Sequence, residues 1–208
     1  MDFLQGLLLI TTVHLLAAAS PGPDFVLVSQ QTLSRGKSAG LLVSFGIALG
    51  LAVHILYSSL GLAAVIASSE SLLWGIKILG GLYLIYLGVS GLKAKPQNAS
   101  IHTEPAKEMS NWKTIVMGFF CNALNPKAPI YFVALFTMVL SPDMPVYQLF
   151  VYGIWMMVLQ FLWFSTVVFL LSSPKLNAKF ERMGHWIDRV LGGAMVLMGL
   201  KVLTTKMN

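Results

Sequence analysis

The sequence predicts an all-α polytopic membrane protein with six transmembrane helices, arranged as two inverted three-helix repeats whose first and fourth helices are discontinuous. Three observations lead to this prediction: an apolar composition, six long apolar stretches, and proline-containing breaks inside the first and fourth of them. Of the 208 residues, 56% are hydrophobic and 11% are charged, whereas a soluble domain usually carries about 25% charged residues. Because the mean hydropathy is also high, at +0.76, we expect most of the chain to lie in lipid.

Six stretches meet or approach the length of a transmembrane helix, which is roughly 20 mostly apolar residues. They are 3–33, 39–66, 72–93, 113–140, 146–172 and 187–205. The longest polar connection contains Pro96 and Pro105 and is typical of an exposed linker. The sequence therefore predicts a first repeat at 1–95, a polar cytoplasmic linker at 96–112 and a second repeat at 113–208.

The net charge is +6, but the basic residues lie in the connections between apolar segments. The orientation of a membrane protein explains such a distribution, so we expect no nucleic-acid partner. Lysine and arginine concentrate in the connections after the first, third and fifth segments, whereas Lys201 and Lys206 lie on the opposite side, near the C-terminus. The positive-inside rule then places both termini outside. If the first segment does not cross fully, the chain has five spans and its N-terminus lies in the cytoplasm.

The two halves repeat the same order of features. Each half opens with a proline-broken apolar segment and closes with a glycine-rich one. The breaks are Ser20-Pro21-Gly22-Pro23 and Asn125-Pro126-Lys127, and the glycines are Gly80, Gly81 and Gly88 in the first half and Gly192, Gly193 and Gly199 in the second. Since three spans is an odd number, the second half must insert upside down relative to the first. Inverted repeats with corresponding interrupted segments indicate a transporter whose site lies where the repeats meet.

The breaks are candidate binding elements because proline removes backbone donors and freed carbonyls in hydrocarbon must be satisfied by protein or by a wet cavity. Each break starts a half-helix whose N-terminus suits a carboxylate. Lys127 adds a positive charge there, and Asp24 suits an ammonium group or a proton. One anionic and one cationic partner fit a zwitterion such as an amino acid, although a structural Asp24–Lys127 ion pair is the alternative. The predicted substrate-binding residues are Ser20, Pro21, Gly22, Pro23, Asp24, Asn122, Asn125, Pro126 and Lys127.

Two histidines are further candidates. His14 on the first segment and His54 on the second could relay protons, together with Asp24, although a buried histidine is more often a hydrogen-bonded structural residue. Gly46 and Gly50 form a G-x-x-x-G pair on the second segment, which is typical of close helix packing. That packing lies either within the chain or across a homodimer.

Two other classes of function are the alternatives. An intramembrane enzyme needs a nucleophile–base pair or a metal site, and the sequence contains no H-E-x-x-H or G-x-S-x-G motif. A cation exporter of similar fold would lack carboxylates, since Asp24 and Glu70 are the ones near the apolar spans. Cys121 is the single cysteine, which excludes a two-thiol redox relay within one chain. We therefore expect no metal and no cofactor.

Several motifs resemble those of one family. Thr12-Val13-His14 followed by Ser20-Pro21-Gly22-Pro23-Asp24-Phe25 is similar to the opening of the lysine-exporter (LysE/RhtB) family, in its homoserine/threonine-resistance branch. The later motifs are Gly80-Gly81-Leu82-Tyr83-Leu84 with Gly88, Asn125-Pro126-Lys127 with Ile130-Tyr131-Phe132, and Trp186-Ile187-Asp188, which resembles the threonine-efflux members. They recur in order over essentially the whole chain.

The resemblance implies an inner-membrane exporter of amino acids, driven by the proton gradient, that removes excess threonine, homoserine or related molecules. Many members of that family carry asparagine at the position of Asp24, whereas the threonine-efflux-like branch carries aspartate. The resemblance therefore favours small neutral amino acids as substrates.

Overall fold

A computed structural model describes residues 2–20, 22–68, 70–94, 109–125, 128, 132, 135, 139 and 144–204. Within these residues, every regular element is an α-helix, which confirms the predicted all-α class. The seven helices are α1 (Phe3–Ala19), α2 (Pro23–Arg35), α3 (Lys37–Ser68), α4 (Glu70–Leu92), α5 (Asn111–Ala123), α6 (Val146–Leu171) and α7 (Pro174–Thr204).

Two of these helices are long and apolar enough to cross a bilayer, over Lys37–Ser59 of α3 and Tyr147–Leu171 of α6. The bent pair α1 and α2 makes a third span if the two helices are counted as one, and Ile78–Leu92 of α4 is apolar but shorter. These lengths fit a membrane protein. Six spans stay a prediction, because much of 113–140 lies outside the described residues.

The break predicted in the first segment is present. α1 begins with a capping box in which Asp2 and Gln5 each accept from the other's backbone N–H, and it ends at Ala19. α2 begins at Pro23, after an extended Gly22, so the ring of proline occupies a first-turn position where no N–H is needed. The two helix axes differ by 61°, and the first segment is therefore two helices.

A tight turn at Gly36 joins α2 to α3. Its φ of 84° lies in the left-handed region that favours glycine. The turn brings Thr32 of α2 against Gly40 of α3, where a Cβ would collide with the threonine hydroxyl. α2 and α3 therefore form a close hairpin at this end of the protein.

α5 ends where the second break was predicted. Ser110 caps its N-terminus, and the helix is 13 residues long, ending at Ala123. The backbone then turns, because the N–H of Asn125 donates to Asn122 O at 2.9 Å and that of Ala128 donates to Asn125 O at 3.2 Å. Pro126 and Lys127 lie outside the described residues.

The last helix begins earlier than predicted. The sequence indicated a final span at 187–205, but α7 runs without interruption from Pro174 to Thr204. Proline suits the first turn of a helix, where its missing N–H is not needed. The polar residues before 187 therefore extend the helix and do not precede it.

Glycines allow α3 and α5 to pack with their backbones in contact. A Cβ on Gly46 would collide with the carbonyl of Ile115, and one on Gly118 would collide with that of Val43. A Cβ on Gly50 would lie 2.5 Å from the carbonyl oxygen of Phe119. The G-x-x-x-G pair thus packs within the chain, so it is no longer an argument for a homodimer. Gly46 lies against Ile115 and Gly50 lies against Phe119, so the residue numbers rise together along both helices. The two helices therefore run parallel.

A second glycine interface joins α4 and α7. A Cβ on Gly88 would lie 2.6 Å from Gly192 O, and one on Gly192 would lie 2.5 Å from Gly88 O. Farther along, a Cβ on Gly199 would lie 2.7 Å from Gly81 O. Because rising numbers on α4 meet falling numbers on α7, these two helices are antiparallel.

α6 packs between α1 and α3. Tyr152 donates to Phe3 O at 3.0 Å and Trp155 donates to Thr11 Oγ1 at 2.8 Å, so α1 and α6 run parallel. The contact between Gly153 and Ile55 at one end, and that between Gly40 and Val168 at the other, make α3 and α6 antiparallel. The largest buried cluster lies along this junction and includes Ile10, Val13, Leu51, Phe132, Leu135, Tyr152 and Met156.

Candidate functional site

A cleft opens at the break between α1 and α2. Its empty volume is about 440 Å³, which includes space open to solvent. α3, α5 and α6 complete its walls. Six residues predicted to bind substrate or protons line it: His14, Ser20, Gly22, Asp24, Asn122 and Asn125. Apolar walls come from Leu51, Phe132 and Phe164. The structure therefore brings the two predicted breaks to one cavity.

Asp24 connects the two breaks. It lies in the first turn of α2, where a carboxylate interacts favourably with the positive end of the helix dipole. Its Oδ2 accepts from Asn122 Nδ2 at 2.7 Å, and its Oδ1 lies 3.5 Å from the Cys121 thiol. The side chain is 9% exposed. Because Asp24 itself occupies the α2 terminus, that terminus is less suited to a substrate carboxylate than the sequence suggested.

Asn122 is held in one orientation. An ionised carboxylate only accepts hydrogen bonds, so the atom that contacts Asp24 must be the amide nitrogen. The other amide atom, Oδ1, is buried and has no hydrogen-bond partner among the described residues. A buried acceptor left unpaired costs about 1–3 kcal/mol, and Asn122 is 2% exposed and lines the cleft. The cleft thus offers an acceptor that suits an N–H or O–H donor.

His14 is a further polar residue of the cleft lining. It is buried on α1 and hydrogen-bonds with the side chain of Gln160 from α6. Both residues line the cleft. This pair joins the first segment to α6.

His54 does not line the cleft, unlike His14. It is buried on α3, its Nε2 lies 2.8 Å from the backbone oxygen of Asn122, and its Nδ1 lies 2.8 Å from Tyr57 Oη. The ring stacks on Phe132 with centroids 5.8 Å apart. His54 therefore contacts the site through the backbone of α5 and through Phe132, which lines the cleft.

Among the described residues, no three His, Cys, Asp or Glu side chains come together as ligands for a metal ion. The polar groups of the cleft are instead one carboxylate, two asparagines, a glutamine, a histidine and a serine hydroxyl. Such a set suits a small polar organic molecule.

Comparison with known proteins identifies the family. Residues 15–206 match the protein family described as LysE type translocator. The chain belongs to this family. The resemblance seen in the sequence motifs is thereby confirmed, and every residue that lines the cleft except His14 falls inside the matched range.

Curated relatives of this LysE type translocator span nearly its whole length. The threonine efflux protein of Salmonella typhi is 30% identical over 201 residues, covering 95% of this chain and 97% of the relative. That of Escherichia coli K12 is 28% identical over 204 residues, covering 96% and 98%. An uncharacterized membrane protein of Bacillus subtilis, YrhP, is 33% identical over 192 residues, covering 87% and 90%. No solved structure matches the chain.

Not every predicted site residue of this translocator lies in the cleft. Pro23 starts α2 but is exposed and is not among the lining residues, so its role here is to begin the helix. Pro21, Pro126 and Lys127 lie outside the described residues. Gln160 is a site residue that the sequence analysis missed. A lone glutamine in the middle of an apolar span was the available signal, because buried polar residues in membrane segments are functional candidates.

Proposed function

We propose that this chain is a secondary active transporter that exports small neutral amino acids, threonine and homoserine among them, across the inner membrane in exchange for protons. The observation that carries this proposal is the contact between Asp24 and Asn122, which joins the two broken segments inside one cleft. The relatives from Salmonella and Escherichia are threonine efflux proteins, which supports amino-acid export.

The polar groups suit the two ends of an amino acid. The Asp24 carboxylate attracts the substrate ammonium group, and the Asn122 Oδ1 beside it accepts a second hydrogen bond from the ammonium or from a side-chain hydroxyl. For the substrate carboxylate we propose Lys127 and the N-terminus of the half-helix that the sequence predicts after Asn125. A site built this way favours zwitterions over simple amines.

Exchange with protons follows from the use of one carboxylate for two ligands. Asp24 can hold a substrate ammonium group when it is ionised, or a proton when it is neutral, but not both. If each state is favoured on a different side of the membrane, substrate leaves only when a proton enters. His14, hydrogen-bonded to Gln160, is the other titratable side chain among the described residues that line the cleft.

The packing of the helices supports two inverted repeats, at 1–95 and 113–208. A two-fold axis in the membrane plane makes corresponding helices antiparallel, as are α3 with α6 and α4 with α7. The same two-fold axis relates the packing of α3 on α5 to the packing of α6 on α1. In each of these two pairs the helices run parallel to one another. With three spans in each repeat, both termini lie outside. Reporter fusions at Asn208 that are active only in the cytoplasm would contradict this orientation.

Efflux measurements test the function directly. Cells preloaded with labelled amino acids should release threonine and homoserine faster when they express this chain, and a proton uncoupler should abolish the difference. Lysine serves as the comparison substrate, because its second positive charge has no partner in the proposed site. The proposal is wrong if no member of the panel shows efflux that depends on expression and is sensitive to the uncoupler.

Lys127→Ala should raise the internal threonine concentration needed for half-maximal efflux by about tenfold, the equivalent of roughly 1.4 kcal/mol of lost carboxylate binding. Lys113→Ala is the matched control, since Lys113 is exposed in the first turn of α5. The measurement is the concentration dependence of efflux at equal expression. An unchanged concentration dependence for Lys127→Ala would remove that residue from the site.

A further inference from the structure

The backbone carbonyl of Asn122 has an unusual position. In a continuous α-helix it would accept a hydrogen bond from the N–H of residue 126. That residue is Pro126, which has no N–H. The carbonyl lies where α5 ends, next to the side chain that holds Asp24. Its hydrogen-bond donors must therefore come from elsewhere.

His54 supplies one of these donors from another helix. Its Nε2 lies 2.8 Å from Asn122 O, and the turn contributes the N–H of Asn125 at 2.9 Å. Because a carbonyl only accepts, Nε2 must carry the hydrogen, which fixes the tautomer of a neutral ring. Nδ1 then accepts from the hydroxyl of Tyr57, 2.8 Å away. With 1% of its surface exposed and its ring stacked on Phe132, His54 has little freedom to move.

We propose that His54 is a positioning residue that replaces the N–H missing at Pro126 and holds the end of α5, so that the Asn122 side chain stays in contact with Asp24. His54 does not itself line the cleft; it reaches the site through the carbonyl of Asn122, and its ring also stacks on the lining residue Phe132. This assigns to His54 a hydrogen-bonding role in place of the proton-carrying role considered from the sequence. Its consequence for transport rests on the proposed export function.

Two amide substitutions separate the two nitrogens of the ring. In His54→Gln the amide nitrogen lies near the position of Nε2 and can still donate to Asn122 O. In His54→Asn the shorter amide lies near the position of Nδ1, so the bond to Asn122 O is lost. Neither amide titrates, so a proton carrier would be disabled equally by both. The positioning role predicts that only the asparagine variant is impaired.

The first measurement needs no transport. Cys121 is the only cysteine, and it precedes Asn122 and contacts Asp24. Its rate of alkylation by N-ethylmaleimide in the purified protein therefore reports on the end of α5. We expect His54→Gln to stay within about twofold of the unaltered protein and His54→Asn to react about tenfold faster, the factor that corresponds to loss of one buried hydrogen bond.

The second measurement is threonine efflux as a function of concentration and pH. His54→Gln should keep the same half-maximal concentration and pH profile, whereas His54→Asn should raise the half-maximal concentration about tenfold. His185→Gln, on α7 and away from the cleft lining, controls for loss of a histidine. Equal impairment of both His54 variants, equal retention by both, or impairment of the glutamine variant alone would overturn the proposal.

Failure of the inference can be distinguished from failure of the proposed function. If the chain exports no amino acid but the alkylation rates separate as expected, the positioning role stands and the export proposal falls. If efflux occurs but the alkylation rates of the two variants agree, the positioning role falls. Should His54→Asn not fold, His54→Gln decides alone, because an altered pH profile or a changed Cys121 rate in that variant contradicts the proposal.

Discussion

Replacing Asp24 with asparagine is expected to abolish proton-coupled export while the protein still folds and inserts. The amide has nearly the shape of the carboxylate, so the first turn of α2 and the contact with Asn122 can persist. It carries no charge for a substrate ammonium group and takes up no proton. Because hydrogen bonds to charged groups contribute about 1.5–3 kcal/mol, the lost ammonium contact alone should lower threonine efflux by about ten- to a hundredfold.

The matched control is Asp2→Asn. Asp2 also lies at a helix N-terminus, but it is exposed and its role is to cap α1, which asparagine performs equally well. Efflux of labelled threonine from preloaded cells, compared at equal amounts of protein in the membrane, is the measurement. Normal uncoupler-sensitive efflux by the Asp24 variant would exclude Asp24 from both substrate binding and proton exchange.

Gly46→Ala adds a methyl group inside the interface between α3 and α5. It should destabilise the protein more than a methyl group added to α3 outside that interface. The new methyl group collides with the carbonyl of Ile115, a backbone atom that cannot move without shifting α5. Overfilling a packed interface typically costs about 1–3 kcal/mol. The midpoint of unfolding of the protein in detergent should therefore fall. The packing around Cys121, at the end of α5, should loosen with it.

Gly75→Ala makes the opposite prediction for the same chemical change. No described atom lies within 4 Å of a Cβ placed on Gly75 of α4, and alanine favours a helix over glycine by up to about 1 kcal/mol. This variant should be as stable as the unaltered protein or slightly more so. Equal midpoints for the two variants would show that contact of α3 with α5 does not limit stability.

The positions of the broken segments could be predicted because their cause is local. Pro21, Pro23 and Gly22 disfavour a continuous helix whatever surrounds them, and the structure ends α1 and begins α2 there. The G-x-x-x-G spacing likewise predicted close packing, since glycine has no side chain to separate two backbones. Its partner helix could not be predicted, because spacing alone describes only one of the two surfaces.

The contacts between segments distant in sequence were not predictable. His54 lies 68 residues from Asn122, and Gln160 approaches His14 from α6. Their hydrogen bonds depend on how four helices are arranged, which no local pattern encodes. The early start of α7 was not predictable for a different reason: hydropathy marks only the apolar part of a helix, and the first turns of α7 are polar and basic.

The glycine interface of α4 and α7 has a consequence for symmetry. Gly81 of α4 faces Gly199 of α7, and Gly88, later on α4, faces Gly192, earlier on α7. This reciprocity defines an isologous contact, the kind found between identical subunits related by a two-fold axis. One polypeptide thus forms within itself the kind of reciprocal helix contact that two subunits of a dimer form.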